Sequence, residues 1–151
     1  MIRKLQKTDI DRVAAIWLDT NLKAHDFIAE SYWLGNFDEV KGLLAQAELY
    51  VYEDEIQGIQ GFVGLEDTYI AGIFVSEKVQ SRGIGKQLLD FVKERKEELS
   101  LSVYQKNAGA IRFYEREGFA VRHTGLDEQT GEKEYQMVWQ KEKEVFLQKE
   151  G

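Results

Sequence analysis

The chain has 151 residues, no cysteine and a formal net charge of −7. The length suits one domain, the lack of thiols excludes disulfides, thiolate zinc sites and a cysteine nucleophile, and the negative charge is unlike the basic footprint of a nucleic-acid binder. The apolar runs are too short to span a membrane and the first residues lack the apolar core of a signal peptide, so we expect a cytoplasmic protein with neither nucleic-acid nor membrane partners.

Hydrophobic periodicity predicts seven strands and four helices, an α/β (α+β) chain with a mixed sheet. The strands are predicted, in chain order, at 2–5, 48–54, 59–66, 68–75, 99–104, 119–124 and 133–140. The helices are predicted at 9–22, 28–46, 83–98 and 107–118. Thr8 is the predicted N-cap of the first helix.

The strand at 68–75 is almost continuously apolar, which is typical of a central strand. Together with the helix at 83–98 and the strand at 99–104 it forms a βαβ unit, whose two strands should run parallel. We expect residues 1–140 to form one domain and residues 141–151 to form a charged tail.

The loop VQSRGIGKQLL, residues 79–89, connects this central strand to the third helix. Gly83 and Gly85 allow the backbone to approach a ligand closely, and the free N–H groups at the start of the helix favour an anion. Arg82 and Lys86 add positive charge. The loop lacks the third glycine of a dinucleotide fingerprint and the spacing of a P-loop. It therefore predicts a pyrophosphate site of another kind, the alternative being a tight turn that binds nothing.

Two motifs carry a resemblance to a known family. The pattern Q-x-x-G-x-G at 80–85, before an amphipathic helix, resembles the acetyl-CoA loop of the GCN5-related N-acetyltransferases (GNAT). The pattern N-x-x-A-x-x-F-Y at 107–114, closing with Gly118 and Phe119, resembles the segment that follows the fifth strand in that family. One helix and one strand separate the two motifs, which is the spacing that the family requires.

Three further stretches are similar to the bacterial peptidyl-lysine acetyltransferases of this family. They are AHDFIAESYW at 24–33, FVG at 62–64 and VYQKNAGAIRFY at 103–114. The resemblance covers roughly residues 1–140. It implies the GNAT fold, in which the fourth and fifth strands splay apart, and acetyl-CoA bound between them.

The resemblance also implies which residues bind the cofactor. They lie on the fourth strand, in the loop, and at the start of the third and fourth helices: Ile73, Phe74, Val75, Gln80, Ser81, Arg82, Gly83, Ile84, Gly85, Lys86, Asn107 and Tyr114. A backbone N–H near Phe74 or Val75 would polarise the thioester carbonyl. A primary amine would attack the thioester directly, and Tyr114 would protonate the leaving thiolate. Without this resemblance, the sequence pattern would place Tyr114 only on the buried face of a short helix.

The general base is open between two candidates. Glu66 ends the third strand, and His25 lies between the first two helices, a region that borders the acceptor site in this family. The residues expected to line that site are aromatic: Phe27, Tyr32, Trp33 and Tyr69. Neither His25 nor His123 has a metal-ligating partner at helical spacing, so no metal site is predicted.

The resemblance therefore predicts an N-acetyltransferase whose first-choice acceptor is a protein lysine side chain. A small amine, such as a polyamine or an antibiotic, is the alternative acceptor. A non-catalytic acyl-CoA sensor and an interaction domain without a CoA site are alternatives from other classes. The oligomeric state is open between a monomer and a homodimer.

Overall fold

The computed structural model describes residues 1–80 and 82–142. The strands are β1 Ile2–Lys4, β2 Glu48–Asp54, β3 Gly58–Glu66, β4 Tyr69–Val75, β5 Glu98–Tyr104, β6 Ala120–Leu126 and β7 Lys133–Gln140. The helices are α1 Ile10–Ala24, α2 Glu30–Leu44, α3 Ile84–Lys93 and α4 Ala108–Arg116. No helix in these ranges is both long and apolar enough to cross a membrane.

The strands form one mixed sheet in the order β1-β2-β3-β4-β5-β7-β6. β4 is the fourth of the seven strands, and its pairing with β5 is parallel while the other neighbours pair antiparallel. The predicted element order, the central position of β4 and the parallel βαβ unit are therefore confirmed. Of the predicted tail at 141–151, the part after residue 142 lies outside the described residues, as does Ser81.

One predicted helix end and one predicted helix cap are wrong. The third helix ends at Lys93, because the chain then turns through a bond from the Arg95 N–H to the Val92 carbonyl (3.0 Å) and enters β5. The first helix is preceded by Asp9 and not capped by Thr8, which lies in a 3₁₀ turn. Asp9 is buried, and its carboxylate accepts hydrogen bonds from Arg3 Nη1 (2.7 Å) and the Gln6 N–H (2.7 Å).

The helices cover both faces of the sheet. On one face, α3 and α4 pack against alternate residues of the strands, with Leu88 and Leu89 of α3 buried against Leu101 of β5. On the other face, α1 and α2 form a second core in which Trp17 and Trp33 contact each other edge to face, with ring centroids 5.8 Å apart. Because side chains alternate across a strand, Tyr104 of β5 belongs to this second, more aromatic face.

The sheet opens between β4 and β5. These strands pair only at Tyr69 with Ser100 and at Ile70 with Leu101. On the other side of β4, Leu65 pairs with Ile70 and Gly64 with Gly72, which leaves Ala71 as one extra residue in β4. Such a bulge bends its strand, so β4 turns away from β5 immediately after their last pair.

Candidate active site

A cleft of about 1160 Å³ occupies the gap between β4 and β5. Its walls include Gly72 to Phe74 from β4 and Ser102 to Tyr104 from β5. Residues from α1, α2, α4 and β7 complete it: Trp17, His25, Trp33, Ala110, Tyr114 and Glu134 are among them. The splayed strands thus bring together segments that lie far apart in the chain.

The β4 wall of the cleft includes Gly72. A Cβ atom at this position would lie 2.6 Å from Cζ of Phe74, so a larger residue would force that ring to shift. The Phe74 ring therefore lies over the glycine, and it packs against Phe62 with ring centroids 5.0 Å apart. Past Ile70, the edge of β4 that faces the cleft has no strand partner in the described chain. An open strand edge can hydrogen-bond an extended ligand.

The start of α3 offers further backbone donors. Gly83 precedes the helix with φ +80°, a conformation that glycine adopts without strain. The first bond of the helix runs from the Gln87 N–H to the Gly83 carbonyl (3.0 Å). The N–H groups of Ile84, Gly85 and Lys86 have no acceptor among the described residues, so this end of α3 can bind an anion.

The side chains of the loop are less available than its backbone. Gln80 lines the cleft, but its Nε2 donates to the Val75 carbonyl (3.0 Å) and closes the end of β4. The Lys86 ammonium pairs with Glu117 (3.0 Å) and Asp90 (3.3 Å). Arg82 is exposed. An anion at this loop would therefore be bound mainly by N–H groups.

Tyr114 lies on α4 with 8% of its surface exposed, and it lines the cleft. Its ring packs edge to face against Phe113 and Phe119. Its hydroxyl makes no hydrogen bond within the described residues, and burial together with the nearby Tyr69 holds the pKa of the phenol well above its usual range. Tyr114 is thus both a core residue and a protonated phenol at the cleft wall.

Asn107 and His25 join α4 to α1 through a chain of hydrogen bonds. Asn107 caps α4, its Oδ1 accepting from the Ala110 N–H (3.1 Å), so its Nδ2 is the donor to Nε2 of His25 (3.1 Å). The His25 Nδ1–H then donates to Oδ1 of Asn21 (2.9 Å), whose Nδ2 donates to the Trp17 carbonyl (2.9 Å). These hydrogen bonds fix the orientation of the side-chain amides of Asn107 and Asn21.

Burial determines the charge of His25. Burial lowers the pKa of this imidazole from 6.5 to about 4, so the ring is neutral at pH 7. Both ring nitrogens are engaged, and the ring stacks on Trp33 with centroids 5.6 Å apart. In this arrangement His25 has no free nitrogen with which to take a proton from an amine.

The remaining predicted residues are placed at different distances from the cleft. Trp33 and Tyr69 line it. Phe27 is not among the described lining residues but packs against Tyr104, which is, and the Tyr32 hydroxyl donates to Oε1 of Gln129 (2.9 Å). Glu66 is exposed at the end of β3, and the structure does not bring it to the cleft wall.

Sequence reasoning missed Glu134. It is the second residue of β7 and pairs directly with Tyr104 of β5, so it lines the cleft beside that ring. Burial, together with the charge of Asp127, raises the pKa of the Glu134 carboxyl. The signal in the sequence was weak, because a glutamate early in a polar hairpin strand resembles a solvent-exposed residue until the pairing of β5 with β7 is known.

Comparison with known proteins identifies the family. Residues 45–121, about half of the chain, match the acetyltransferase (GNAT) domain. Over 141 residues the chain is 35% identical to the peptidyl-lysine N-acetyltransferase YiaC of Escherichia coli (strain K12), covering 92% of this chain and 96% of that protein. The chain belongs to the GNAT acetyltransferase family.

Other GNAT proteins show the same relationship. The peptidyl-lysine N-acetyltransferase YjaB of Escherichia coli (strain K12) is 29% identical to this GNAT acetyltransferase, over 84% of this chain and 85% of that protein. The solution structure of apo YjaB from Escherichia coli superposes with a TM-score of 0.83 at 25% identity, covering 92% and 96% of the two chains. The PaiA N-acetyltransferase of Thermoplasma acidophilum, in complex with coenzyme A, shares the fold with a TM-score of 0.78 at 18% identity, covering 93% and 98%.

The GNAT chain is therefore an acetyl-CoA-dependent N-acetyltransferase, and the sensor and interaction-domain alternatives are not favoured. Its own residues fit the cofactor. The unpaired edge of β4 can hydrogen-bond an extended amide chain, and the N–H groups at the start of α3 that lack an acceptor among the described residues can donate to phosphate oxygens. The expectation of splayed fourth and fifth strands is confirmed.

Proposed function

We propose that this GNAT acetyltransferase acetylates the ε-amino group of lysine side chains in proteins. The observation that carries the choice of acceptor is its similarity to YiaC, which is named a peptidyl-lysine N-acetyltransferase and matches along nearly the whole chain. The cleft supports it, since it combines backbone donors with a buried phenol and a partly buried carboxylate. A lysine side chain is a slender, cationic acceptor that such a cleft suits.

Acetyl-CoA supplies the activated acetyl group. In our proposal the backbone of Ile73, Phe74 and Val75 holds the pantetheine arm, and an N–H near Phe74 or Val75 polarises the acyl oxygen. The pyrophosphate is held at the start of α3. The residues proposed to contribute there are Gln80, Ser81, Arg82, Gly83, Ile84, Gly85 and Lys86. Asn107 contributes from the cap of α4.

We assign Tyr114 the role of general acid. Its Oη keeps a proton at neutral pH because burial raises the pKa of the phenol, and no hydrogen bond to another described residue diverts that proton. The acceptor amine must also lose a proton. A lysine amine has a reference pKa near 10.4, so removing its proton at pH 7 costs about 4.6 kcal/mol. We propose that four aromatic residues surround the amine: Tyr69, Trp33, Phe27 and Tyr32. Glu66 and His25 remain the predicted bases, and either would have to move to receive this proton, because both ring nitrogens of His25 are engaged and Glu66 lies away from the cleft wall.

Acetyl-CoA is a cytoplasmic metabolite, which supports the cytoplasm as the place of action.

The experiment that tests the acceptor uses a peptide with one internal lysine and blocked ends. A matched peptide with arginine in place of lysine is the control. We expect acetyl-CoA-dependent addition of one acetyl group to the lysine peptide alone, detected by mass spectrometry. Acetylation of spermidine with no reaction of several lysine peptides would contradict the proposal.

A further inference from the structure

Glu134 occupies a particular place in the cleft. It lies opposite Tyr104 in the β5–β7 pairing, and directly opposed residues of two strands project from the same face of a sheet. That face is the one covered by α1 and α2, where His25 and Phe27 pack edge to face against Tyr104 with centroids 4.9 and 5.7 Å away. Glu134 therefore belongs to the aromatic side of the cleft.

The described lining of the cleft includes three carboxylates, which differ in burial and pairing. Glu77 pairs with Lys23, and Asp19 is exposed on α1. Glu134 is half-buried, and no hydrogen bond or ion pair joins its carboxylate to another residue in the described ranges. Among the described residues of the cleft, Glu134 is thus the carboxylate that is both partly buried and without a cationic partner.

Within the described chain, no cation compensates the charge of Glu134. Lys106, which follows β5, is engaged elsewhere: its ammonium pairs with Glu132 (3.1 Å) and lies 5.4 Å from the centroid of Phe27. Asp127 adds a second negative charge, with Oδ2 accepting from the Tyr104 hydroxyl (2.6 Å). A carboxylate withdrawn from water beside a like charge is unfavourable, and a bound cation would relieve it.

We propose that Glu134 binds the ammonium group of the amine acceptor, with the Tyr104 ring beside the aliphatic stem. The class of ligand is a primary alkylammonium ion. Glu134 would then draw the cationic end of the acceptor into the cleft, where the carboxylate replaces part of the hydration that the ammonium loses. This inference rests on the proposed function for the identity of the acceptor, but its chemistry holds for any primary amine.

The test replaces Glu134 with glutamine, which keeps the shape and removes the charge. Losing a hydrogen bond to a charged group corresponds to an acceptor KM raised about 10- to 100-fold. The matched control is Glu128→Gln, a nearby exposed carboxylate that is not among the described lining residues, and it should leave the KM unchanged. An acceptor KM within about twofold of the parent value for Glu134→Gln would overturn the inference.

A binding measurement separates charge recognition from general damage. With CoA present, fluorescence anisotropy compares a lysine peptide with the same peptide carrying acetyl-lysine, which has no charge at that position. The parent enzyme should bind the lysine peptide more tightly, and Glu134→Gln should lose this preference. Acetyl-CoA should still raise the unfolding temperature of Glu134→Gln as it does for the parent enzyme. A retained preference would refute the role of Glu134. If Glu134→Gln does not fold, Glu134→Asp, which shortens the stem, should show a smaller but measurable loss.

The acceptor probes also keep the two proposals apart. If the parent enzyme acetylates n-butylamine but no lysine peptide, the choice of a protein acceptor is wrong. The Glu134→Gln comparison is then made with n-butylamine. A raised KM for that amine supports ammonium binding at Glu134, and an unchanged KM refutes it.

Discussion

The two halves of the cleft offer different groups to the ligands that we propose for them. The half proposed for the cofactor offers backbone: the open edge of β4, the N–H groups at the start of α3, and glycines at 72 and 83. The half proposed for the acceptor offers side chains from separate elements: His25, Trp33, Tyr104 and Glu134. Backbone donors are available in any sequence that preserves the conformation, whereas side chains change with each substitution. One cofactor site can therefore persist while the acceptor changes.

Asn107 connects the two halves. Its amide caps α4, the helix that carries Tyr114, and also donates to His25 on the acceptor side. A change in the packing around His25 would therefore act on the helix that carries the proposed acid. The following predictions test how separate the two halves are, beginning with the largest expected effect.

Tyr114→Phe should lower kcat by about 10²- to 10⁴-fold, because it removes the proton donor but keeps the ring. The affinity for acetyl-CoA should stay the same, since the cofactor half relies on backbone contacts. Steady-state kinetics and thermal unfolding with acetyl-CoA measure the two quantities. Tyr135→Phe makes the same chemical change on β7 and serves as the control. A kcat within about threefold of the parent would remove Tyr114 from the mechanism.

Gly83→Ala should weaken acetyl-CoA binding about tenfold, because alanine at φ +80° is strained by about 1–3 kcal/mol. Among the described residues other than its chain neighbours, no heavy atom lies within 4 Å of the added Cβ, so the effect should come from backbone conformation and not from a clash. Lys86→Gln should change the affinity by less than about threefold, since its ammonium is held by two carboxylates. Calorimetric titration with CoA measures both. A larger effect of Lys86→Gln would show that side-chain charge dominates this half.

His25→Gln should have the smallest effect on turnover, a reduction of several-fold, and should leave the shape of the pH–rate profile unchanged. The substitution should alter the pH dependence of the free energy of unfolding. The folded-state pKa of His25 is about 4, below the ordinary 6.5, so the unfolded chain binds this proton first as pH falls. The free energy of unfolding should therefore decrease between about pH 6.5 and 4, and His25→Gln should flatten that slope.

Urea unfolding at several pH values gives the slope, with His123→Gln, a change at an exposed histidine of β6, as the control. If His25→Gln instead removed the acidic limb of the kcat/KM profile, His25 would be the base. The two halves would then be coupled by proton transfer as well as by the Asn107 contact.

Much of the fold follows from local sequence patterns. The nearly continuous apolar run of β4 predicted its central position, and the strand–helix–strand order predicted its parallel pairing with β5. The bulge at Ala71 was not predicted, because it arises from the register between β3 and β4. The early end of α3 at Lys93 was missed for a similar reason, since the entry into β5 decides where the chain turns.

The site was predictable where its residues are close in sequence. The glycine loop and the segment from Asn107 to Tyr114 each lie within one short stretch, so a motif could find them. The acceptor side depends on pairings between distant segments. Glu66, at a strand end, looked well placed but lies away from the cleft wall, whereas Glu134 reaches the cleft only through the register of β5 with β7.

The bulge at Ala71 has a consequence for the empty enzyme. A sheet that opens in its middle has two more edges than a closed one, and strand edges are where other extended chains can add. Acetyl-CoA bound as we propose would fill this gap in the way that a missing strand would. Enzyme without acetyl-CoA should therefore self-associate more readily than enzyme with the cofactor bound. The supply of acetyl-CoA should then affect the lifetime of the enzyme as well as its rate.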